Sequence, residues 1–305
     1  MHSHRVFEII LQRHLGQEVT LTQDSSSLRV STGQRYYAKI GSASEKDQYV
    51  GEAESLKAIN AAAPGLAPNL IDCGVIDSDT KERDSDVGRP YFLSEYKDIG
   101  SLTPAAAKVL GRRLATELHA YESSDGFGFS VPTYCGRTRQ DNGWFKTWPE
   151  CFDALIGGLA DKLRAQGGYD ALCKQVDDVR TRVIPALLGP LEVKPVLLHG
   201  DLWQSGNTGI DRSTGEPTIF DPSSYFGHNE ADLAIGRMFG GLPESFYTAY
   251  HQHLPKSEPQ EEYGLRQDLY QLYHYLNHTV LFGPQEDTVD DPKTRHEARK
   301  KTKHN

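Results

Sequence analysis

One stretch limits what this chain can fold into more than any other. It runs from Val196 to Phe239 and contains VLLHGDLWQSGN, then TIFDPSSYFGHNEADLAIGRMF. Three apolar residues, Val196, Leu197 and Leu198, lead into His199-Gly200-Asp201, Asn207 stands six residues after the aspartate, and a second apolar run ends at Asp221-Pro222. Short apolar runs that end on acids predict buried strands delivering carboxylates to a cleft.

Two carboxylates and an asparagine in this order suit phosphoryl transfer, which needs positioning and charge neutralisation more than covalent chemistry. Asp201 fits the base that accepts the proton of an attacking hydroxyl. Asn207 and Asp221 fit the ligands that hold Mg2+ on the phosphates of ATP. His-Gly-Asp in place of His-Arg-Asp, and Asp-Pro in place of Asp-Phe-Gly, lead away from protein kinases and toward kinases of small molecules.

The segments LLHGDLW…GN, IFDPSSYFGHNEADLAI and MFGGLPESFYTAY resemble the fructosamine 3-kinase (ketosamine kinase) family, whose members carry HGDLWSGN, DPA-S-Y-GH-E-DLA and MFGG-P-F--AY in the same order. The resemblance implies an α+β, protein-kinase-like bilobal fold with a small β-rich N-terminal lobe, a mostly helical C-terminal lobe and ATP between them. It also implies a reaction: phosphorylation of the C3 hydroxyl of a ketosamine, such as fructosamine or ribulosamine, on a protein lysine or small amine. The unstable 3-phosphate would then fall away and reverse glycation. Residue chemistry alone reaches an ATP-dependent small-molecule or sugar kinase. An aminoglycoside- or choline-type kinase shares His-Gly-Asp, and an inactive pseudokinase acting as a binding module is the rival from another class. Against the pseudokinase, Lys39, Asp201 and Asp221 are all present.

The chain departs from the family pattern at one point. Gln204 makes six steps from Asp201 to Asn207 where the family has five. The extra residue either bulges beside Gly206 and leaves both ends in place, or draws Asn207 off the metal.

At 305 residues the chain can bury a large core. We divide it into a nucleotide-binding lobe over 1–97, a catalytic and substrate-binding lobe over 98–292 and a basic tail over 293–305 that lacks apolar spacing and is expected to be disordered. A net charge of −9 argues against a nucleic-acid partner, because phosphate backbones are bound by clustered Lys and Arg. Four scattered cysteines with no C-x-x-C pair read as free, inert thiols in a reducing compartment. With no long apolar run at the N-terminus and none of membrane-spanning length, a cytoplasmic protein without a membrane partner is expected.

Along the N-terminal lobe, the stripe Val6, Phe7, Ile10 and Leu11 predicts a helix ending at Gly16, and Val19 to Ile40 predicts a meander of strands. The first hairpin tip, Gln23 to Ser27, has no glycine; contact with phosphate and a plain surface turn both remain open. In Arg35-Tyr36-Tyr37-Ala38-Lys39-Ile40, Lys39 sits in a strand ahead of a helix, the placement from which an ammonium reaches the α and β phosphates. Ser44-Glu45-Lys46-Asp47 matches a capping box opening a helix to about Ala62. Either Glu52 or Glu54 on that helix can pair with Lys39, and the family's G-E-x-x-S-L pattern favours Glu52. Asp77 to Arg89 reads as an exposed loop, and by resemblance to kinases Glu95 and Tyr96, just after a strand, are hinge candidates for adenine.

In the C-terminal lobe, Thr103-Pro104 opens a helix with Leu110, Leu114, Leu118 and Tyr121 on one face, and His119 is read as a packed histidine. Ser123 to Trp144 reads as an irregular loop; the family's similar segment implies that Asn142 and Trp144 touch substrate, with packing of Phe127 and Phe129 the alternative. Helices are predicted near Glu150 to Ala165, Tyr169 to Leu188 and Leu265 to Phe282. Trp203, two residues beyond Asp201, is read as lining the acceptor pocket, where it could stack on a sugar, with a core tryptophan the alternative. Asp232 is expected to hydrogen-bond the backbone of the catalytic loop, and Glu230 to do the same or to meet substrate.

Overall fold

The apolar stripe of the first residues becomes the buried face of α1 (Arg5–Leu15), which stops at Gly16 and lies on a five-stranded sheet. The computed structural model describes residues 5–24, 27–78 and 85–283. The basic tail, the centre of the first hairpin tip (25–26) and the middle of the charged loop (79–84) lie outside the described residues.

The sheet contains β1 (Leu21–Asp24), β2 (Ser27–Val30), β3 (Arg35–Ile40), β4 (Leu70–Val75) and β5 (Pro90–Glu95), in the antiparallel order β1-β2-β3-β5-β4. Alternation along β3 sends Tyr36, Ala38 and Ile40 toward α1, while Tyr37 and Lys39 face α2 (Lys46–Ala62). The capping box that opens this helical segment lies two residues earlier than Ser44. Ser42 donates its main-chain N–H to the Glu45 carboxylate at 2.7 Å, and the turn Ala43–Glu45 leads into α2. The local spacing Ser-x-x-Glu is met by Ser42 and Glu45, which is the physical reason for the shift.

After β6 (Ile99–Gly100) the chain enters a mostly helical lobe. Thr103 accepts the N–H of Ala106 and caps α3 (Pro104–Thr116). The predicted leucine face continues through a tight turn at Leu118–Ala120, but Tyr121 is exposed. The stretch read as an irregular loop holds four strands of three residues: β7 (Phe127–Phe129), β8 (Thr133–Cys135), β9 (Thr138–Gln140) and β10 (Gly143–Phe145). Strands this short carry too few residues to display alternation. Next come α4 (Trp148–Gln166), α5 (Asp170–Asp178) and α6 (Ile184–Leu188), the last two joined by a widened π turn.

The segment that opened the sequence reading then forms β11 (Val196–Leu198), α7 (Gln204–Asn207), β12 (Thr208–Asp211), β13 (Pro217–Ile219), β14 (Tyr225–Gly227) and α8 (Asn229–Ile235). β11 pairs with β14, β14 with β7, and β12 with β13 and β6. Helices α9 (Glu244–His253) and α10 (Tyr263–Phe282) complete the lobe, α10 burying Tyr270 and Tyr273. One core joins α2 to the helical lobe and a smaller one lies between α1 and the sheet. Among the described residues no helix is long and apolar enough to cross a membrane.

Candidate active site

Strand β11 is buried and leads directly into His199, which is itself wholly buried. The imidazole of His199 accepts the main-chain N–H of Asp201 on Nδ1 (3.2 Å), so Nε2 carries the proton and donates to the main-chain oxygen of Phe220 (3.1 Å). Burial holds this ring below its usual pKa, in the neutral form that the two bonds require. One imidazole thus ties the Asp201 loop to the residue before Asp221.

Asp232, on α8, fixes the same loop from below. Its two carboxylate oxygens accept the main-chain N–H groups of His199 and Gly200, each at 2.8 Å, and His119 Nε2 lies 3.2 Å away. Burial raises the Asp232 pKa, but His119 and the hydrogen bonds outweigh it and hold the carboxyl below the usual range. Gly200 has φ +84°, and a Cβ there would lie 2.1 Å from the Ser223 oxygen, so only glycine lets the two loops approach this closely.

Asp201 is half-buried, and Asn207 Nδ2 donates both to its Oδ2 at 3.0 Å and to its main-chain oxygen at 2.8 Å. The extra residue Gln204 is absorbed in the single turn α7, where the Asn207 N–H returns to the Trp203 oxygen at 3.1 Å. Gly206 is required in that turn because the Trp203 indole lies where a Cβ would stand, at 2.1 Å. Burial raises the Asp201 carboxyl to about 7, opposed by hydrogen bonds from Asn207 and the Cys135 thiol and reinforced by the charges of Asp221 and Asp232. A carboxylate poised near neutrality is suited to general-base work.

Across from this loop, Lys39 Nζ meets Glu52 Oε2 at 2.5 Å, while Glu54 pairs with Lys57 on the exposed side of α2. Burial pulls the Lys39 ammonium down, yet Glu52, Tyr37 and Asp221 hold it up at about 12. Asp221 is exposed and takes φ 54°, a left-handed backbone rarely adopted outside glycine and asparagine-like positions and often kept at functional sites. Helix α2 is docked to the Asp221 loop by Ser55, whose Oγ accepts the N–H of Ser224 at 3.2 Å.

The sequence model of the fructosamine kinase family matches residues 13–290. The chain belongs to the fructosamine kinase family. It is 35% identical over 308 residues to the ketosamine-3-kinase of Mus musculus, an alignment covering 90% of this chain and 94% of that one. It is 37% identical over 249 residues to the chloroplastic protein-ribulosamine 3-kinase of Arabidopsis thaliana, covering 81% and 71%. A crystal structure from Haemophilus somnus assigned as a fructosamine-3-kinase shares the fold, with TM-score 0.75, 21% identity and 92% coverage of each chain. An aminoglycoside phosphotransferase in complex with AMP-PNP and hygromycin B is similar in fold at TM-score 0.56 and 16% identity, covering 90% and 92%. The fold is the α+β kinase-like one that the motifs implied, and the protein is an ATP-dependent kinase.

In this member of the family the remaining candidates fall into three groups. Glu95 and Tyr96 end the last strand of the small lobe, but their side chains are engaged within the protein. Glu95 bonds Asn69 and Lys97, its main-chain N–H donates to the Asn69 oxygen at 2.8 Å, and the Arg35 guanidinium lies 3.8 Å over the Tyr96 ring. Trp203 is half-buried beside α7 and meets Phe239 edge-on at 6.2 Å. Phe239 is itself exposed at φ 52° and stacks on His278 at 5.5 Å. This aromatic row beside Asp201 was not expected; only the quoted MFGG motif hinted at Phe239.

The third group, Glu230, Asn142 and Trp144, is held by contacts away from Asp201, with Trp144 exposed. Glu230 is wholly buried, with Arg266 Nε on Oε2 at 2.7 Å and Arg266 Nη2 and the Ser257 N–H on Oε1, and among the described residues its carboxylate bonds no catalytic-loop backbone. A buried carboxylate needs such a partner, and this arginine lies 36 residues away in the chain. Asn142 spends its amide hydrogens on the Val131 oxygen and Thr133 Oγ1, closing the β8–β9 region. Trp144 packs over Phe226 at 6.1 Å, the ring that Tyr121 and Phe129 also meet. Among the described residues neither makes a hydrogen bond or ring contact with the Asp201 loop. Sequence reasoning also missed the support behind the site, including Tyr250, which bonds both His119 and Asn229.

Proposed function

We propose that this fructosamine kinase family member transfers the γ-phosphoryl group of ATP to the C3 hydroxyl of a ketosamine, with Asp201 as the base, and so promotes deglycation of lysines or small amines. The relatives named for ketosamine and protein ribulosamine support the acceptor class. The observation that carries the reading is Asp201 itself, held near neutrality, bonded to Asn207 and joined through His199 and Phe220 to Asp221.

Asp201 accepts the hydroxyl proton as the acceptor oxygen attacks phosphorus in line, and ADP leaves with the electron pair of the breaking bond. Lys39, braced by Glu52, holds the α and β phosphates. The donors fit Mg2+, a hard ion that selects oxygen ligands. The Asn207 amide hydrogens are spent on Asp201, which leaves Oδ1, and the Asp221 carboxylate is exposed. When bound, Mg2+ neutralises phosphate charge. Trp203 and Phe239 form an aromatic wall for the sugar face. The division at residue 97 into nucleotide and acceptor lobes, the hinge at Glu95 and Tyr96, and a cytoplasmic setting belong to the same proposal.

The test is Mg2+-dependent ATP consumption with fructose- or ribulose-modified lysine, using kanamycin, choline and unmodified lysine as controls and Asp201→Asn in parallel. Turnover confined to ketosamines and abolished in Asp201→Asn is expected. Turnover of kanamycin or choline alone would reassign the acceptor, and ATP binding without turnover of any acceptor would sink the enzyme reading in favour of a binding module.

A further inference from the structure

Cys135, Asp201 and His274 come from three separate elements, β8, the catalytic loop and α10, and one ligand atom of each lies within 4.8 Å of the other two. Cys135 and His274 are 3% and 7% exposed, whereas Asp201 is half-buried. The Cys135 Sγ lies within 4.8 Å of an Asp201 carboxylate oxygen. His274 meets Tyr273 edge-on at 5.0 Å, and its ring nitrogens make no hydrogen bond among the described residues. Burial holds that ring neutral, at about 4, in the form that binds metals. An imidazole that bonds no protein group among the described residues, set beside a thiol and a carboxylate, is a donor set that phosphoryl transfer does not use.

The donor set is one sulfur, one nitrogen and one oxygen. Mg2+ takes oxygen ligands, so this set is distinct in chemistry from Asn207 and Asp221. Zn2+ accepts all three, with a fourth position left for water. Tetrahedral zinc separates sulfur and nitrogen ligands by about 3.6 Å, so closing the triad requires side-chain movement of about 1 Å. We propose that Cys135, Asp201 and His274 form an inhibitory Zn2+ site that takes the Asp201 carboxylate out of use as a base. Coordination is Zn2+ plus the Cys135 thiol giving the zinc thiolate and one proton released to solvent, with no oxidant needed. The inhibition rests on the reading of Asp201 as base; the metal site does not.

The experiment adds Co2+, then Zn2+ at buffered free concentrations, to the metal-free full chain, and measures kinase turnover on ribulose-modified lysine with Mg2+ and ATP. A thiolate-to-cobalt charge-transfer band is expected in the native protein, absent in Cys135→Ser and weakened in His274→Asn. The half-inhibiting Zn2+ concentration, taken against each variant's own zinc-free rate, is expected to rise at least about tenfold in both. Absence of the band in the folded native protein overturns the site, and a band with unchanged zinc sensitivity in both variants overturns the inhibition. If Cys135→Ser does not fold, His274→Asn and the native cobalt spectrum decide. A protein that phosphorylates no ketosamine would defeat the functional reading while the cobalt spectrum still judges the site.

Discussion

Asn207 Nδ2 donates to Asp201 Oδ2 at 3.0 Å across a spacing one residue longer than HGDLWSGN provides. The turn α7 takes up the additional residue and brings the amide back to Asp201. Asn207→Ala removes both the donor to the base and the candidate metal ligand. It is expected to lower kcat by about 10²-fold or more, with the Mg2+ concentration for half-maximal rate rising. Unchanged turnover and unchanged Mg2+ dependence would show that α7 has carried Asn207 out of the reaction.

The pH profile follows from Asp201. The deprotonated carboxylate is the active form, so kcat/KM is expected to fall as pH drops through about 7, with unit slope. The linkage has the opposite sense for stability. Because the folded-state pKa is raised above the ordinary 3.8, this group's contribution is fully present below that value and is lost as pH rises through about 7. A rate profile flat from pH 5 to 8 would remove Asp201 from the role of base.

Asp232→Asn keeps the shape of the side chain but replaces one acceptor oxygen with an NH2 group facing a main-chain N–H. A cost of about 1–3 kcal/mol in denaturant unfolding is expected. Since Asp232 touches the loop and not the nucleotide, kcat is expected to fall while KM for ATP holds.

Lys39 and Glu52 are expected to act as a unit. A double-mutant cycle of Lys39→Met and Glu52→Gln, read as kcat/KM for ATP, is expected to give a coupling of about 0.5–3 kcal/mol. Additive losses would mean that Glu52 does not position the ammonium.

The Glu230–Arg266 pair distinguishes scaffold from substrate contact. Arg266→Met leaves a buried carboxylate without its partner and is expected to cost about 3–5 kcal/mol of stability. Glu230→Gln is expected to lower stability and leave the acceptor KM unchanged. A raised acceptor KM at native stability would return Glu230 to the substrate.

The sequence by itself determined the order of the chemistry-bearing residues, and its motifs, by resemblance, implied the kinase fold and the family. These depend on short-range patterns: apolar runs ending at Asp201 and Asp221, alternation along Arg35 to Ile40, and the glycine at 200. That a glutamate of the next helix pairs with Lys39 was legible from the order of strand and helix, while the choice of Glu52 over Glu54 came from the family pattern. Tertiary structure alone decided the rest. His119 lies 113 residues from Asp232, and Arg266 lies 36 from Glu230. Nothing in local spacing joins Cys135 and His274 to Asp201. Burial of a charged or polar group demands a partner but does not say from where along the chain it comes. That Glu230 is locked to an arginine and that His119 stands behind Asp232 is fixed only when packing sets the water around each carboxylate.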